Sequence, residues 1–317
     1  MTTRFYLLVV MKGRESLRLQ GWIIYNGNLP GKKFIDFANM LHQAAAQKQI
    51  STSIYKNNEL LSILATDSIN INSPQLPLPD FVVFTDKDIY LANQLELLGI
   101  RVFNPAKAIM ISDDKIATYQ RLAQHQLAIP KTIIAPKVFY QHENIDYSFL
   151  NIVSHQLKFP MIVKEAFGSF GEQVYLVQNE EELRGKVKEL IGKPFVFQEF
   201  ISTSYGKDIR LQVVGNQVVA SMLRTSTNDF RANITSGGTM TAYEPTKKEA
   251  QLAIQATKAI GADFAGVDLL FGANNEPIIC EVNSNAHIRN LYECTNINAA
   301  QHIIDYVIDT ISRGEER

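Results

Sequence analysis

Gly266-Val267-Asp268-Leu269-Leu270, followed by Pro277-Ile278-Ile279-Cys280-Glu281-Val282-Asn283, decides how this chain is read. Two apolar runs flank a turn centred on Asn274-Asn275, which predicts a β-hairpin. A symmetric turn sets Asp268 opposite Glu281, and Asn283, two residues on, shares their face. Like charges opposed across strands repel each other. A bound cation would remove that repulsion, and three hard oxygen donors without His or Cys suit Mg²⁺. The alternatives are a solvated outer face of an amphipathic hairpin and a one-residue register slip that parts the pair.

Immediately upstream the pattern predicts a helix over residues 247–260. Before it lies another hairpin, residues 209–214 and 217–225, turned by Gly215-Asn216. Arginines cluster here: Asp208-Ile209-Arg210, Arg224 at the end of the partner strand, then Asp229-Phe230-Arg231-Ala232-Asn233 ahead of Gly237-Gly238. Asp208 and Arg210 share a strand face. Arginines beside a carboxylate–cation centre can neutralise charge that builds up in phosphoryl transfer, and structural salt bridges are the alternative for each.

Further upstream, residues 195–201 form an apolar run broken by Gln198-Glu199, whose backbone edge could meet a planar base while apolar neighbours sandwich it. A buried strand with one polar turn explains it equally. Residues 180–191 read as a helix, and strands at 159–166 and 173–177 flank Gly168-Ser169-Phe170-Gly171. Glycines let backbone N–H groups turn towards phosphate oxygens, and Lys164 stands at the strand end beside them. No Gly-Lys-Ser/Thr follows, so this is not a Walker A loop; a plain hairpin turn is the alternative. Ser112-Asp113-Asp114 offers an N-cap for a helix to about residue 126, and that helix carries Lys115. A final helix is expected over 298–312. Grouped strands and helices mark these parts as α+β.

The first 105 residues alternate instead. Strands are expected at 5–11, 21–25, 50–55 and 81–85, helices at 33–49 and 89–98, and a polar surface loop at 66–79. Alternation implies a parallel sheet covered by helices, a small α/β lobe.

At 317 residues the chain suits two or three packed lobes. Thirty-one Lys and Arg against 32 Asp and Glu leave no global field for nucleic acid or an anionic membrane, so anion binding must be local. The two cysteines, Cys280 and Cys294, make neither a disulfide framework nor a zinc site, which points to a reducing compartment. The apolar run 5–11 ends in Lys12-Gly13-Arg14 and not in a small-residue cleavage site, so it resembles a first strand more than a signal peptide, and no stretch approaches the length of a membrane span, so a cytoplasmic protein is expected.

In order and spacing, Lys115, Lys164 with its glycine loop, Gln198-Glu199-Phe200-Ile201, Asp208-Ile209-Arg210, Arg231-x-Asn233, Asp268 and Glu281-x-Asn283 resemble the ATP-grasp superfamily. The likeness is to the RimK-type α-L-glutamate ligases and covers roughly residues 100–310. It implies an N-terminal α/β lobe (1–105), a central lid (106–197) and a C-terminal lobe with the metal site (198–317), the last two clasping ATP. It also implies that Lys115 and Lys164 contact phosphates under a flap containing Gly168, Ser169 and Gly171. Gln198, Glu199, Phe200 and Ile201 would meet the adenine, Asp208 the ribose side, and Arg210, Arg231 and Asn233 the phosphates. Arg224 and Arg231 would be catalytic. Asp268, Glu281 and Asn283 would hold one or two Mg²⁺, with Mn²⁺ as a substitute. The implied reaction joins a carboxylate, through an acyl phosphate, to an amino acid such as glutamate. Its acceptor is a small acid or peptide, and its assembly a homodimer or homotetramer. An ATP-grasp kinase and a non-catalytic ATP-binding module are the alternatives. After Asn283 the sequence departs from the family's Ser-x-Pro-Gly and reads Ser284-Asn285-Ala286-His287-Ile288-Arg289-Asn290, which implies a different substrate. His287 and Arg289 are candidates for a substrate carboxylate, with a surface-loop role as the alternative.

Overall fold

The computed structural model describes residues 19–72, 77–138, 145–168, 171–232 and 237–314; the strand expected at 5–11 lies outside them. The first lobe runs β1 (Gln20–Tyr25), α1 (Lys33–Gln47), β2 (Ser51–Lys56), β3 (Leu61–Leu64), β4 (Ile69–Asn72), β5 (Phe81–Phe84), α2 (Ile89–Leu97) and β6 (Arg101–Phe103). Its main sheet has the order β2-β1-β5-β6, all parallel, as the alternation of elements required. Strands β3 and β4 pair as a separate hairpin. The loop expected at 66–79 therefore contains a strand; its Ile-Asn-Ile-Asn alternation was hidden among turn residues.

Helix α1 buries Phe34, Phe37, Ala38, Leu41, Ala44 and Ala45, spaced three and four apart. Fully buried aliphatic side chains stabilise by about 1.5–3 kcal/mol each. This stripe packs with Ile303, Ile304 and Val307 of the last helix, and with Val214 and Phe264 from the third lobe. First and third lobes thus share one core.

Between the lobes come α3 (Ala106–Asp113) and α4 (Lys115–Gln124). A single helix capped at Ser112 was expected. Instead Asp114 is extended, ends α3, and accepts from Ile116 N and Ala117 N, at 2.8 and 3.3 Å, as the N-cap of α4. Ala108, Ile111, Tyr119 and Leu122 of these helices join the core under the third sheet, so residues 106–124, grouped with the lid on sequence, pack with the C-terminal lobe.

The second lobe comprises β7 (Thr132–Ile134), α5 (Phe149–Leu157), β8 (Met161–Glu165), β9 (Val174–Val177), α6 (Glu180–Leu190) and β10 (Phe195–Glu199). Its sheet is antiparallel, in the order β7-β10-β8-β9. The third comprises β11 (Lys207–Val214), β12 (Gln217–Thr225), β13 (Thr239–Ala242), α7 (Lys247–Ile260), β14 (Phe264–Phe271), β15 (Pro277–Asn283), α8 (Arg289–Thr295) and α9 (Ala299–Ser312). Its antiparallel order is β13-β12-β11-β14-β15. No helix among the described residues is long and apolar enough to cross a membrane.

The decisive hairpin forms, but not by a symmetric turn. Phe271 pairs with Pro277 around a tight turn over Ala273–Asn275, a register that would bring Cys280 opposite Asp268. A bulge intervenes: Leu269 pairs with Ile279 while Asp268 pairs with Glu281, so Cys280 is the extra residue. The bulge restores the opposed carboxylates.

Candidate active site

Strand order brings the charged residues together. Because β11 lies between β12 and β14, Asp208 faces Arg224 and Arg210 faces Asp268 across the ladders. Arg224 donates to both Asp208 oxygens at 2.6 and 2.7 Å and lies 2.9 Å from Asp268. Arg210 donates to both Asp268 oxygens at 2.7 Å. Two guanidinium groups and two carboxylates thus form one buried chain, which neutralises charges that burial alone would penalise. Burial would push the Asp268 carboxyl up, but Arg210 and Arg224 outweigh it and hold it at about 2. For Asp208 burial wins, reinforced by the charge of Asp268 and opposed by Arg224, and its value rises. Asp208, expected beside a ribose, and Arg224, expected at the reacting phosphate, are 7% and 4% exposed. Their hydrogen bonds build them into the framework that positions Asp268. The sequence could not show this, because it did not reveal which hairpins adjoin.

The two lysines converge from another side. Lys115, first residue of α4, lies 3.6 Å from Glu281 and donates to the Gly168 carbonyl at 3.2 Å. Its backbone N–H also bonds the Ala166 carbonyl at 3.0 Å, fixing α4 against the base of the glycine loop. Buried Lys164 on β8 reaches the Tyr119 hydroxyl at 3.2 Å and the Cys280 sulfur at 3.8 Å. Burial alone would lower Lys164, but Cys280, Tyr119 and then Glu281 beside it raise it above the usual lysine value. Tyr119, which the sequence did not single out, donates to the Cys280 carbonyl at 2.6 Å and so anchors the bulge. As an apolar-face residue of a helix it carried no signal of this task.

At the far end of the glycine loop, Arg231 donates to the Gly171 carbonyl at 2.5 Å and pairs with Asp229 at 2.7 Å. Lys115 and Arg231 therefore hold the two ends of the loop. Ser169 and Asn233 lie outside the described residues. Of the stretch expected to meet a base, Gln198 is 1% exposed and its side chain donates to Thr132 at 2.9 Å, so only its backbone could serve that purpose. Glu199 ends β10 with an exposed side chain, and Phe200 and Ile201 follow in the link between lobes. Phe200 stacks edge-on with Tyr205 and Phe230, both centred 6.3 Å away, forming an aromatic wall there.

Asn283 faces Gly266 on the same surface as Asp268 and Glu281. Its side-chain Nδ2 is buried without a hydrogen-bond partner, and such an atom usually marks a place for a further polar group. No three His, Cys, Asp or Glu side chains converge as a metal site among the described residues; the constellation is two carboxylates and an amide. The following turn is pinned: Ser284 accepts from Asn104 Nδ2 at 2.7 Å and bonds Ser112 at 2.8 Å. Asn104 also receives the Asp263 and Phe264 N–H groups at 2.6 and 3.1 Å. Arg289, a candidate for a substrate carboxylate, pairs with Asp36 of α1 at 2.6 and 2.8 Å instead.

Three lobes, a glycine loop held by cations, and opposed carboxylates on the last hairpin define the ATP-grasp architecture. The D-alanine–D-alanine ligase of Bacillus anthracis, solved with ATP, superimposes with a TM-score of 0.68 at 17% identity, over 93% of this chain and 98% of that one. The model of the RimK-like ATP-grasp domain matches residues 112–307. An uncharacterized protein of Mycoplasma pneumoniae is 34% identical over 83% of this chain and 93% of its own length. Human N-acetylaspartylglutamate synthase A is 33% identical over 75% of this chain, which spans 59% of that protein. The chain belongs to the RimK-like ATP-grasp family, and it is an enzyme of the ATP-grasp ligase class.

Proposed function

We propose that this enzyme uses Mg²⁺-ATP to activate a carboxylic acid as an acyl phosphate and transfers the acyl group to the amino group of an amino acid, glutamate by likeness to the human relative. The observation that carries the proposal is that Lys115 lies beside Glu281 and bonds the Gly168 carbonyl, that buried Lys164 stands at the Cys280 bulge within reach of the Glu281 charge, and that Arg231 bonds the Gly171 carbonyl. Fixed cations and loop backbone suit a triphosphate, and opposed carboxylates suit a hard cation.

The donor set fits Mg²⁺: one or two carboxylates with substrate phosphates is its usual arrangement, the Asn283 side-chain oxygen would add a third hard donor, and its unpartnered Nδ2 would donate to an acceptor such as a phosphate oxygen. Asp268, Glu281 and Asn283 would hold it, and a bound Mg²⁺ would neutralise phosphate charge. Asp268 is ionised at any physiological pH because Arg210 and Arg224 keep it so. Lys115 and Lys164 hold phosphate oxygens, and Phe200 with the adjoining backbone holds the base. In the first half-reaction an acid oxygen bonds to the γ-phosphorus, the bond from that phosphorus to the β–γ bridging oxygen breaks, and ADP departs. In the second the amine nitrogen bonds to the acyl carbon, phosphate leaves, and the amine loses a proton. Catalysis of the first step is mainly positioning and charge stabilisation. Arg231 at the flap supplies positive charge there, and Arg224 acts by fixing Asp268.

The test is ADP release with Mg²⁺-ATP and a panel of acids and amino acids, singly and paired. Release that requires both an acid and an amine supports the ligase. Release without any amine requirement contradicts it and favours a kinase.

A further inference from the structure

Lys115 and Tyr119 stand four residues apart on α4 and so share one face of the helix. That face lies along β15. Lys115 meets Glu281 at 3.6 Å, and the Tyr119 hydroxyl meets the carbonyl of Cys280, the extra residue of the bulge, at 2.6 Å. Beyond the end of the helix, the Ala128 carbonyl receives the Ile279 N–H at 2.8 Å. Helix α4 and the link after it therefore take the place of a neighbouring strand along the bulge. A bulged residue has no partner of its own in the ladder, which leaves its carbonyl to be satisfied from outside.

The same hydroxyl reaches the second lobe. Tyr119 is 4% exposed, and Lys164 of β8 and Gln198 of β10 approach its oxygen to 3.2 and 3.4 Å. The groups themselves fix where the protons lie. A carbonyl can only accept, so the single hydroxyl proton goes to Cys280; an ammonium can only donate, so Lys164 gives a proton to the Tyr119 oxygen. The more distant Gln198 donates its own amide to Thr132 at 2.9 Å. One oxygen atom thus stands between a cation of the second sheet and the bulge that turns Glu281 towards Asp268.

We propose that Tyr119 is a positioning residue of the reaction: its hydroxyl sets Lys164 for the nucleotide phosphates and the Cys280 bulge for the cation-binding carboxylates, so that both depend on one hydrogen-bonded junction. The proposal rests on the nucleotide and metal assignments of the ligase reading. Tyr119 itself touches no substrate. Without its oxygen, Lys164 keeps its charge but loses the acceptor that aims it, and the Cys280 carbonyl is left without its partner. The lysine and Glu281 are then free to shift separately, where the intact junction moves them as a unit.

The experiment compares wild type with Tyr119→Phe, Lys164→Met, the double variant and Tyr243→Phe. The last is a matched control: Tyr243 packs against the same core, and its hydroxyl bonds Glu249, away from the site. Phenylalanine keeps the ring in the core, and all measurements are made in trimethylamine N-oxide, which favours the folded state, with circular dichroism as the check. ADP affinity is read by calorimetry without metal, and Mn²⁺ affinity of the ADP complex by electron paramagnetic resonance. Tyr119→Phe should weaken each about tenfold, the worth of one hydrogen bond. In the Lys164→Met background the same change should alter ADP affinity less than about twofold, because the group it positions is gone. Where ADP is released, kcat should fall about a hundredfold, with KM for acid and amine within about threefold. Tyr243→Phe should leave every one of these values unchanged. A folded Tyr119→Phe with wild-type affinities and kcat overturns the proposal, whatever its melting temperature. Equal losses in Tyr243→Phe, or ADP losses that simply add in the double variant, overturn it as well. ADP release by wild type without an amine removes the ligase reading, while the two affinities still decide the role of Tyr119.

Discussion

Gly266→Ala probes the geometry that joins the carboxylate hairpin to the divergent segment. An added Cβ would sit 2.4 Å from the Ala286 Cβ, about 1 Å inside the closest ordinary contact. Neither atom lies at the end of a flexible side chain, so backbone must move. Strand β14 is paired on both edges and Ser284 is tied to Asn104 and Ser112, which directs the movement into residues 285–288 and Asn283. Overpacking of this kind costs about 1–3 kcal/mol. A displacement near 1 Å beside a reacting centre reduces turnover by roughly a hundredfold. Urea denaturation reads the first figure and steady-state ADP release the second. The compensating pair Gly266→Ala with Ala286→Gly removes the atom that is met and should recover most of the turnover. A fully active single variant, or a pair no better than the single, would refute the reasoning.

Asn104→Ala removes four short hydrogen bonds from a fully buried side chain and leaves backbone groups of Asp263, Phe264 and Ser284 unsatisfied. A loss of roughly 3–5 kcal/mol in urea denaturation is expected, and less than about 1 kcal/mol would contradict the role. Lys164→Met keeps the buried stem but not the charge, so nucleotide affinity should fall about ten- to a hundredfold with a near-normal melting temperature; unchanged affinity by calorimetry would remove the phosphate role. Asp268, held at about 2 against its ordinary 3.8, contributes stability that is present above about pH 4 and lost as the pH falls towards 2. Its ion pairs amount to roughly 2–3 kcal/mol at pH 7, with Asp208, whose value is raised, acting in the opposite sense. Wild type's advantage over Asp268→Asn should therefore shrink between about pH 4 and 2, and a constant advantage would disprove the ion-pair account.

How far the sequence could be read depended on the range of each interaction. The hairpin at Gly215-Asn216 was legible because turn and alternation lie within a few residues, whereas the expected Asp268–Glu281 opposition came from a symmetric turn that does not form and holds through the bulge. The Cys280 bulge was not legible, since one extra residue leaves no mark on an apolar run. Helix α8 was missed because its seven residues are too few for a period to emerge, and α3 because Asp114 splits what looks like one polar cap. The framework linking Asp208, Arg224, Asp268 and Arg210 depends on β11 lying beside β14, a pairing across more than fifty residues. Composition could name the charged residues, but only topology decides which of them touch. The same limit concealed Tyr119 and Asn104, whose partners come from distant strands.

The central claim is that acid activation and amine capture occur at one site. The most direct measurement supplies ¹⁸O-labelled acid, Mg²⁺-ATP and glutamate, and follows the label by mass spectrometry. Transfer of one ¹⁸O into the released phosphate, in an amount equal to the amide formed, is the predicted result. Unlabelled phosphate alongside amide, or ADP release with no amide, would contradict an acyl phosphate and with it the function assigned to these residues.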